Sequence, residues 1–110
     1  MGAYSTAAGN SPLGDFIDGL SDYDAAEVAA AMKRVALDGP EAARHLRDNI
    51  YEVRVAGLDQ IYRILFAPVG RYQHVFLSLE GFSKNTQKTL PAKITLAEHR
   101  LEDWLKRGST

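Results

Sequence analysis

Residues 50–91 restrict the fold of this chain more than any other stretch: three alternating segments run in succession and a basic polar loop follows. Tyr51, Val53 and Val55 are apolar, while Glu52 and Arg54 between them are not, the period-2 pattern of a strand with one buried face. The second segment places Tyr62, Ile64 and Phe66 on one face and Ile61, Arg63 and Leu65 on the other. The third places Val75, Leu77 and Leu79 opposite Tyr72, His74, Phe76 and Ser78. Two short turn-rich connections, Gly57-Leu58-Asp59-Gln60 and Pro68-Val69-Gly70-Arg71, predict two hairpins. Even loops keep face parity across both turns. Pairing Ala56 with Ile61 sets Arg54 opposite Arg63, and pairing Ala67 with Tyr72 sets Arg63 opposite Phe76 and Leu65 opposite His74. Arg54, Arg63 and His74 are then expected on one solvent-facing side, with the large aliphatics on the other. Two arginines directly opposite each other repel, which points to a bound anion or to carboxylate partners such as Glu52, Glu80 or Asp59.

The rest of the chain supplies helices. Residues 1–10 are small and polar and are expected to be frayed or to hold a short strand near Tyr4. Ser11-Pro12 predicts an N-cap and first helical residue, and Ser21-Asp22 a second cap. The second helix is expected to bury Ala25, Val28, Ala29, Met32, Val35 and Ala36 and to stop at Gly39-Pro40. Residues 41–46 read as a helical turn. Thr89 is a candidate cap for a last helix aligning Ile94, Ala97, Leu101, Trp104 and Leu105. The predicted class is α+β: two N-terminal helices, an antiparallel sheet of three to four strands and a C-terminal helix, in one domain spanning residues 1–110.

Composition narrows the chemistry. There is no cysteine, which removes disulfides and thiolate zinc sites. No apolar run reaches membrane-span length and no signal pattern opens the chain, so the expected location is the cytoplasm, without a membrane partner. Residues 1–49 carry 4 Lys/Arg against 8 Asp/Glu, whereas residues 50–110 carry 9 against 6. That asymmetry fits a polyanion partner for the second half, or ordinary solvated charge. His45, His74 and His99 lie in separate elements without paired spacing, so neither a metal nor another cofactor is expected. Phosphate-cradling glycine loops are absent, and Ser78 lacks the surroundings of a nucleophile.

What remains is a set of cations and aromatics: Arg54, Arg63, His74, Phe76, Phe82, Lys84 and Lys88, with Gln87. Guanidinium forks match phosphates and aromatic rings stack bases. RNA cleavage needs little more, because the 2′-hydroxyl attacks its own phosphate. The protein must align the reacting atoms, stabilise added negative charge and move two protons, and none of this requires a metal. His74 could carry a proton or be a strand histidine bonded locally; Lys84 and Lys88 could bind RNA or only solubilise a loop.

SPLGDFIDGL, GPEAARHL, YEVR, YRILF and, most specifically, GFSKNTQKT followed by ITLAEHRLEDW resemble the phage-related branch of the RelE/HigB toxins of type II toxin–antitoxin systems, over about residues 11–107. The resemblance implies a small α+β toxin that cleaves mRNA on the ribosome and is neutralised by a helix-turn-helix antitoxin. It implies functional roles for Arg54, Arg63, Phe82, Lys84, Gln87 and Lys88; together with His74, which the residue pattern alone proposes, Arg54 and Arg63 are assigned to the chemistry and Phe82, Lys84, Gln87 and Lys88 to RNA binding. Asn85 stands where a second lysine is common, and Leu90-Pro91 replaces a direct Thr-Pro. Two alternatives share this fold: a ParE-like toxin that binds DNA gyrase without cleaving RNA, and an inactive antitoxin-binding module.

Overall fold

A five-stranded sheet with helices on both faces organises the protein. The computed structural model describes residues 2–6, 8–70, 75–83 and 90–107. In chain order the elements are β1 (Gly2–Ala3), α1 (Pro12–Asp18), α2 (Asp22–Asp38), a 3-10 turn (Pro40–Ala42), β2 (Arg44–Arg47), β3 (Ile50–Ala56), β4 (Ile61–Val69), β5 (Val75–Ser83) and α3 (Pro91–Lys106). The strand order is β1-β5-β4-β3-β2, antiparallel except for the parallel pairing of β1 with β5. The α+β class holds, but the sheet is wider than three to four strands, because residues 44–47 pair with β3 and the first residues pair with β5.

Local chemistry sets the helix ends. The Ser11 hydroxyl accepts from the Gly14 amide at 3.2 Å and Ser21 from the Asp24 amide at 3.2 Å, so both predicted caps form. Gly39, at φ +81°, ends α2 in a conformation that strains any other residue. Leu90 occupies the N-cap position of the third helix, and the predicted cap, Thr89, lies outside the described residues; Pro91 then begins the helix without an amide to satisfy.

Both sheet faces are covered. On one, Leu13 of α1 and Val28 and Val35 of α2 pack on Val53, Val55, Tyr62, Ile64, Phe66 and Phe76. On the other, Ala97 of α3, with Ile94, Leu101 and Trp104, packs on Ile50, Leu65, Ala67, Leu77 and Leu79. Ala29 and Ala36, expected inside, face solvent, because two seven-spaced valines already fill the seam between α2 and the sheet. Leu105 is likewise exposed. Gly81 lets α1 approach: a Cβ there would lie 2.6 Å from Phe16 Cδ2. Among the described residues, no helix is long and apolar enough to cross a membrane.

The first hairpin has the predicted register, with Ala56 opposite Ile61 and Arg54 opposite Arg63. The second does not. Strand β4 runs on through Pro68 to Val69, which pairs with Val75, so Ala67 faces Leu77 instead of Tyr72. An irregularity opposite Leu65 and Phe66 then places Leu79 and Glu80 consecutively on the α3 side and restores the original parity further along. Arg63 therefore faces Phe82, while Phe76 and Ser78 turn to the α1/α2 side. A bulge of this kind adds one residue to one strand and leaves no mark in the alternation pattern.

Candidate functional site

The α3 side of the sheet divides in two. Its lower half is the apolar core beneath α3. Its upper half carries Glu52 and Arg54 from β3, Arg63 from β4, and Glu80 and Phe82 from β5. Parity dictates this grouping. Residues 52 and 54 share one face of β3, Arg54 is opposite Arg63, Arg63 is opposite Phe82, and Leu65 is opposite both Glu52 and Glu80.

Glu52 answers the repulsion between the facing arginines. Arg54 Nε donates to its Oε1 at 2.8 Å, and Arg63 NH1 to its Oε2 at 3.4 Å. Both side chains of the inner pair are buried, Arg63 at 1% exposure and Glu52 at 0%, whereas the Arg54 side chain is 32% exposed. The expectation of a solvent-facing Arg63 is thus corrected. The face that carries it is covered, and Arg63 lies under its neighbours with a carboxylate beside it. Arg54 is the guanidinium of this pair that opens to solvent.

A second charged group adjoins the first. Glu80, mostly buried, lies 3.2 Å from Lys93 Nζ and 3.4 Å from Arg100 NH1, and Arg100 also donates to the Leu79 carbonyl at 2.8 Å. Lys93 Nζ stands 5.3 Å from the centre of the Phe82 ring, a cation–π contact. Phe82 itself is 8% exposed and belongs to the core beneath α3, so its ring is closed on one side by packing.

Of the predicted site residues, the structure brings together Arg54, Arg63 and Phe82. His74, Lys84, Gln87 and Lys88 lie outside the described residues. Lys93 and Arg100 were not singled out by sequence reasoning: they sit on a helix whose docking position no local pattern reveals. Glu52 was legible as a partner, since it is two residues from Arg54 and therefore on the same strand face. His45 Nε2 donates to the Asp48 carbonyl, 2.6 Å away, and its ring lies 5.0 Å from that of Tyr51, a local structural role. Among the described residues, no group of three or more metal-binding side chains converges.

The model of the family described as phage-derived protein Gp49-like (DUF891) matches residues 15–102, from α1 through most of α3. The chain belongs to this family. Gp49-like proteins are associated with toxin–antitoxin systems, and the match takes in Glu52, Arg54, Arg63, Glu80, Phe82, Lys93 and Arg100. No curated protein matches the chain.

Proposed function

We propose that this Gp49-like protein is the toxin of a type II toxin–antitoxin pair, of the RelE/HigB kind, and that it inhibits translation by cleaving ribosome-bound mRNA. The observation that carries the reading is the Arg54–Glu52–Arg63 arrangement. A carboxylate and a guanidinium buried side by side are a poor way to stabilise a small domain, since apolar residues of similar volume do as well or better. Such a group does fix the orientation of the exposed third member, Arg54, at the open end of the sheet.

In this mechanism the RNA 2′-hydroxyl loses its proton and attacks the adjacent phosphate, the P–O5′ bond breaks, and the 5′-oxygen leaves with a proton, giving a 2′,3′-cyclic phosphate and a 5′-hydroxyl. Arg54 places its guanidinium against the phosphoryl oxygens as charge builds on them, the type of contact whose loss lowers rates by about 10²–10³. Glu52, with each oxygen engaged by an arginine, holds Arg54 in place and transfers no proton. Arg63 acts through Glu52 in the same way. Proton transfer is assigned to His74 and RNA binding to Lys84, Gln87 and Lys88 with Phe82, on the sequence argument alone. No metal or cofactor takes part in this scheme. A helix-turn-helix antitoxin is the proposed neutralising partner, with ribosome and mRNA as targets in the cytoplasm.

Primer extension on mRNA from cells in which the protein has been induced tests the reading. New 5′ ends within translated regions, absent with Arg54→Ala, are the expected result. Intact mRNA together with gyrase-dependent DNA breaks would replace it with the gyrase-binding alternative, and normal growth would leave only an antitoxin-binding module.

A further inference from the structure

The cationic surface does not end at Arg54. In β2, Arg44 is the register partner of Glu52, so the two side chains project from the same face, the one that carries Arg54 and Arg63. Arg44 and Arg54 are diagonal neighbours on adjacent strands, a separation of about 7–8 Å between backbone positions. A groove of about 390 Å³ opens between them, walled by Glu41, the small side chains of Ala42 and Ala43, and Glu52. The Glu52 carboxylate is engaged by Arg54 and Arg63. Arg44 is exposed and, among the described residues, makes no ion pair.

We propose that this groove is a phosphate subsite, in which Arg44 grips the RNA backbone next to the phosphate held by Arg54. The small alanine wall leaves room for a sugar–phosphate chain at the level of the backbone. With no carboxylate holding it among the described residues, Arg44 is free to reach a phosphate and supplies a charge-assisted contact. Arg44 is therefore a substrate-binding residue that positions the strand, and it contributes to affinity more than to the bond-breaking step. This inference rests on the ribonuclease reading above.

The test is cleavage of labelled mRNA on programmed ribosomes, with KM and kcat measured across a salt series for wild type, Arg44→Ala, Arg44→Lys, Arg44→Glu and Arg54→Ala. Arg44→Ala should raise KM about tenfold and lower kcat by no more than a few-fold, as expected for one charge-assisted contact. The slope of log KM against log salt should fall by about 0.7, one phosphate's worth of counterion release on a single strand. Arg44→Lys, which keeps the charge and most of the side chain, should recover most of the affinity, and Arg44→Glu should lose more than alanine does. Wild-type KM and salt slope in both Arg44→Ala and Arg44→Glu would overturn the subsite while leaving the ribonuclease reading intact, provided Arg54→Ala still loses activity. A wild-type protein that cleaves no programmed mRNA would overturn both.

Discussion

The two faces of the sheet handle polar groups in opposite ways. On the α1/α2 face a buried carboxylate is bonded to neutral donors. Asp24 accepts from the Tyr62 hydroxyl at 2.5 Å and from the Leu58 amide at 2.9 Å, and these bonds tie α2 to the β3–β4 turn. Around them lie aliphatic and aromatic side chains, with Phe66 between Tyr51 and Phe76 at ring distances of 5.7 and 5.8 Å. On the α3 face, Glu52 and Glu80 instead hold cations that reach toward the surface. Both arrangements satisfy buried charge, as they must. Only the second leaves a guanidinium partly in solvent with its orientation fixed. A carboxylate bonded to neutral donors staples the fold on one face, and carboxylates bonded to cations present positive charge on the other.

Substitutions on each face can break that distinction. The largest stability loss is expected for Phe66→Ala, a fully buried ring at the centre of the α1/α2 face, at about 3–5 kcal/mol. Denaturant unfolding would measure it, and a loss below about 1 kcal/mol would mean that this face is not the main source of stability. Arg63→Ala comes next, at about 3 kcal/mol, because it removes a fully buried partner of a buried carboxylate, whereas solvent reaches the partly exposed Arg54 position. Any loss of toxicity in that variant should therefore be accompanied by a lower melting temperature; inactivity at an unchanged melting temperature would move Arg63 into direct contact with RNA.

Trp104→Ala should destabilise by about 2 kcal/mol, less than a fully buried aromatic, since Trp104 packs only partly against the core under α3. An unchanged thermal midpoint would make Trp104 a partner contact. Tyr62→Phe sharpens the comparison through pH. The hydrogen bond to Asp24, then burial and the charge of Asp24, raise the Tyr62 hydroxyl above its ordinary value near 10. A raised pKa in the folded state means that stability is fully present below pH about 10 and is lost as pH rises through the folded value. Wild type should lose stability in alkaline melts, and Tyr62→Phe should melt lower at neutral pH with a shallower alkaline decline. Equal alkaline slopes would show that the decline comes from elsewhere, Tyr4 on Asp103 being another raised phenol among the described residues. The smallest effect on structure is expected for Lys84→Ala/Lys88→Ala, which should leave folding untouched and reduce the salt slope of ribosome binding by roughly one to two units. Identical slopes would mean that the two lysines only solubilise their loop.

Much of this was legible in the chain, for identifiable reasons. Strand alternation and the four-residue turn after Ala56 fix the β3–β4 register, and with it the facing arginines. Ser11-Pro12, Ser21 and Gly39 mark helix ends because capping is local chemistry. The β4–β5 register was not legible. Pro68 looks like a turn residue, yet it sits inside a strand, and the bulge near Leu79 depends on what packs above and below it. Burial of Arg63 was hidden as well, since a strand face reads as solvent-facing until the helix that covers its neighbours is placed. Lys93 and Arg100 join the charged group only through the docking of α3, a long-range event that sequence periodicity does not encode.

In the proposed function, Arg54 presents to RNA a charge held by the Glu52–Arg63 pair, and the fold does not depend on it. Growth arrest and thermal melting of Arg54→Ala, measured side by side, test this most directly. The variant should unfold cooperatively within a few degrees of wild type and fail to arrest growth, with in vitro cleavage down by about 10²–10³. A folded Arg54→Ala protein that arrests growth at the wild-type rate would contradict the account.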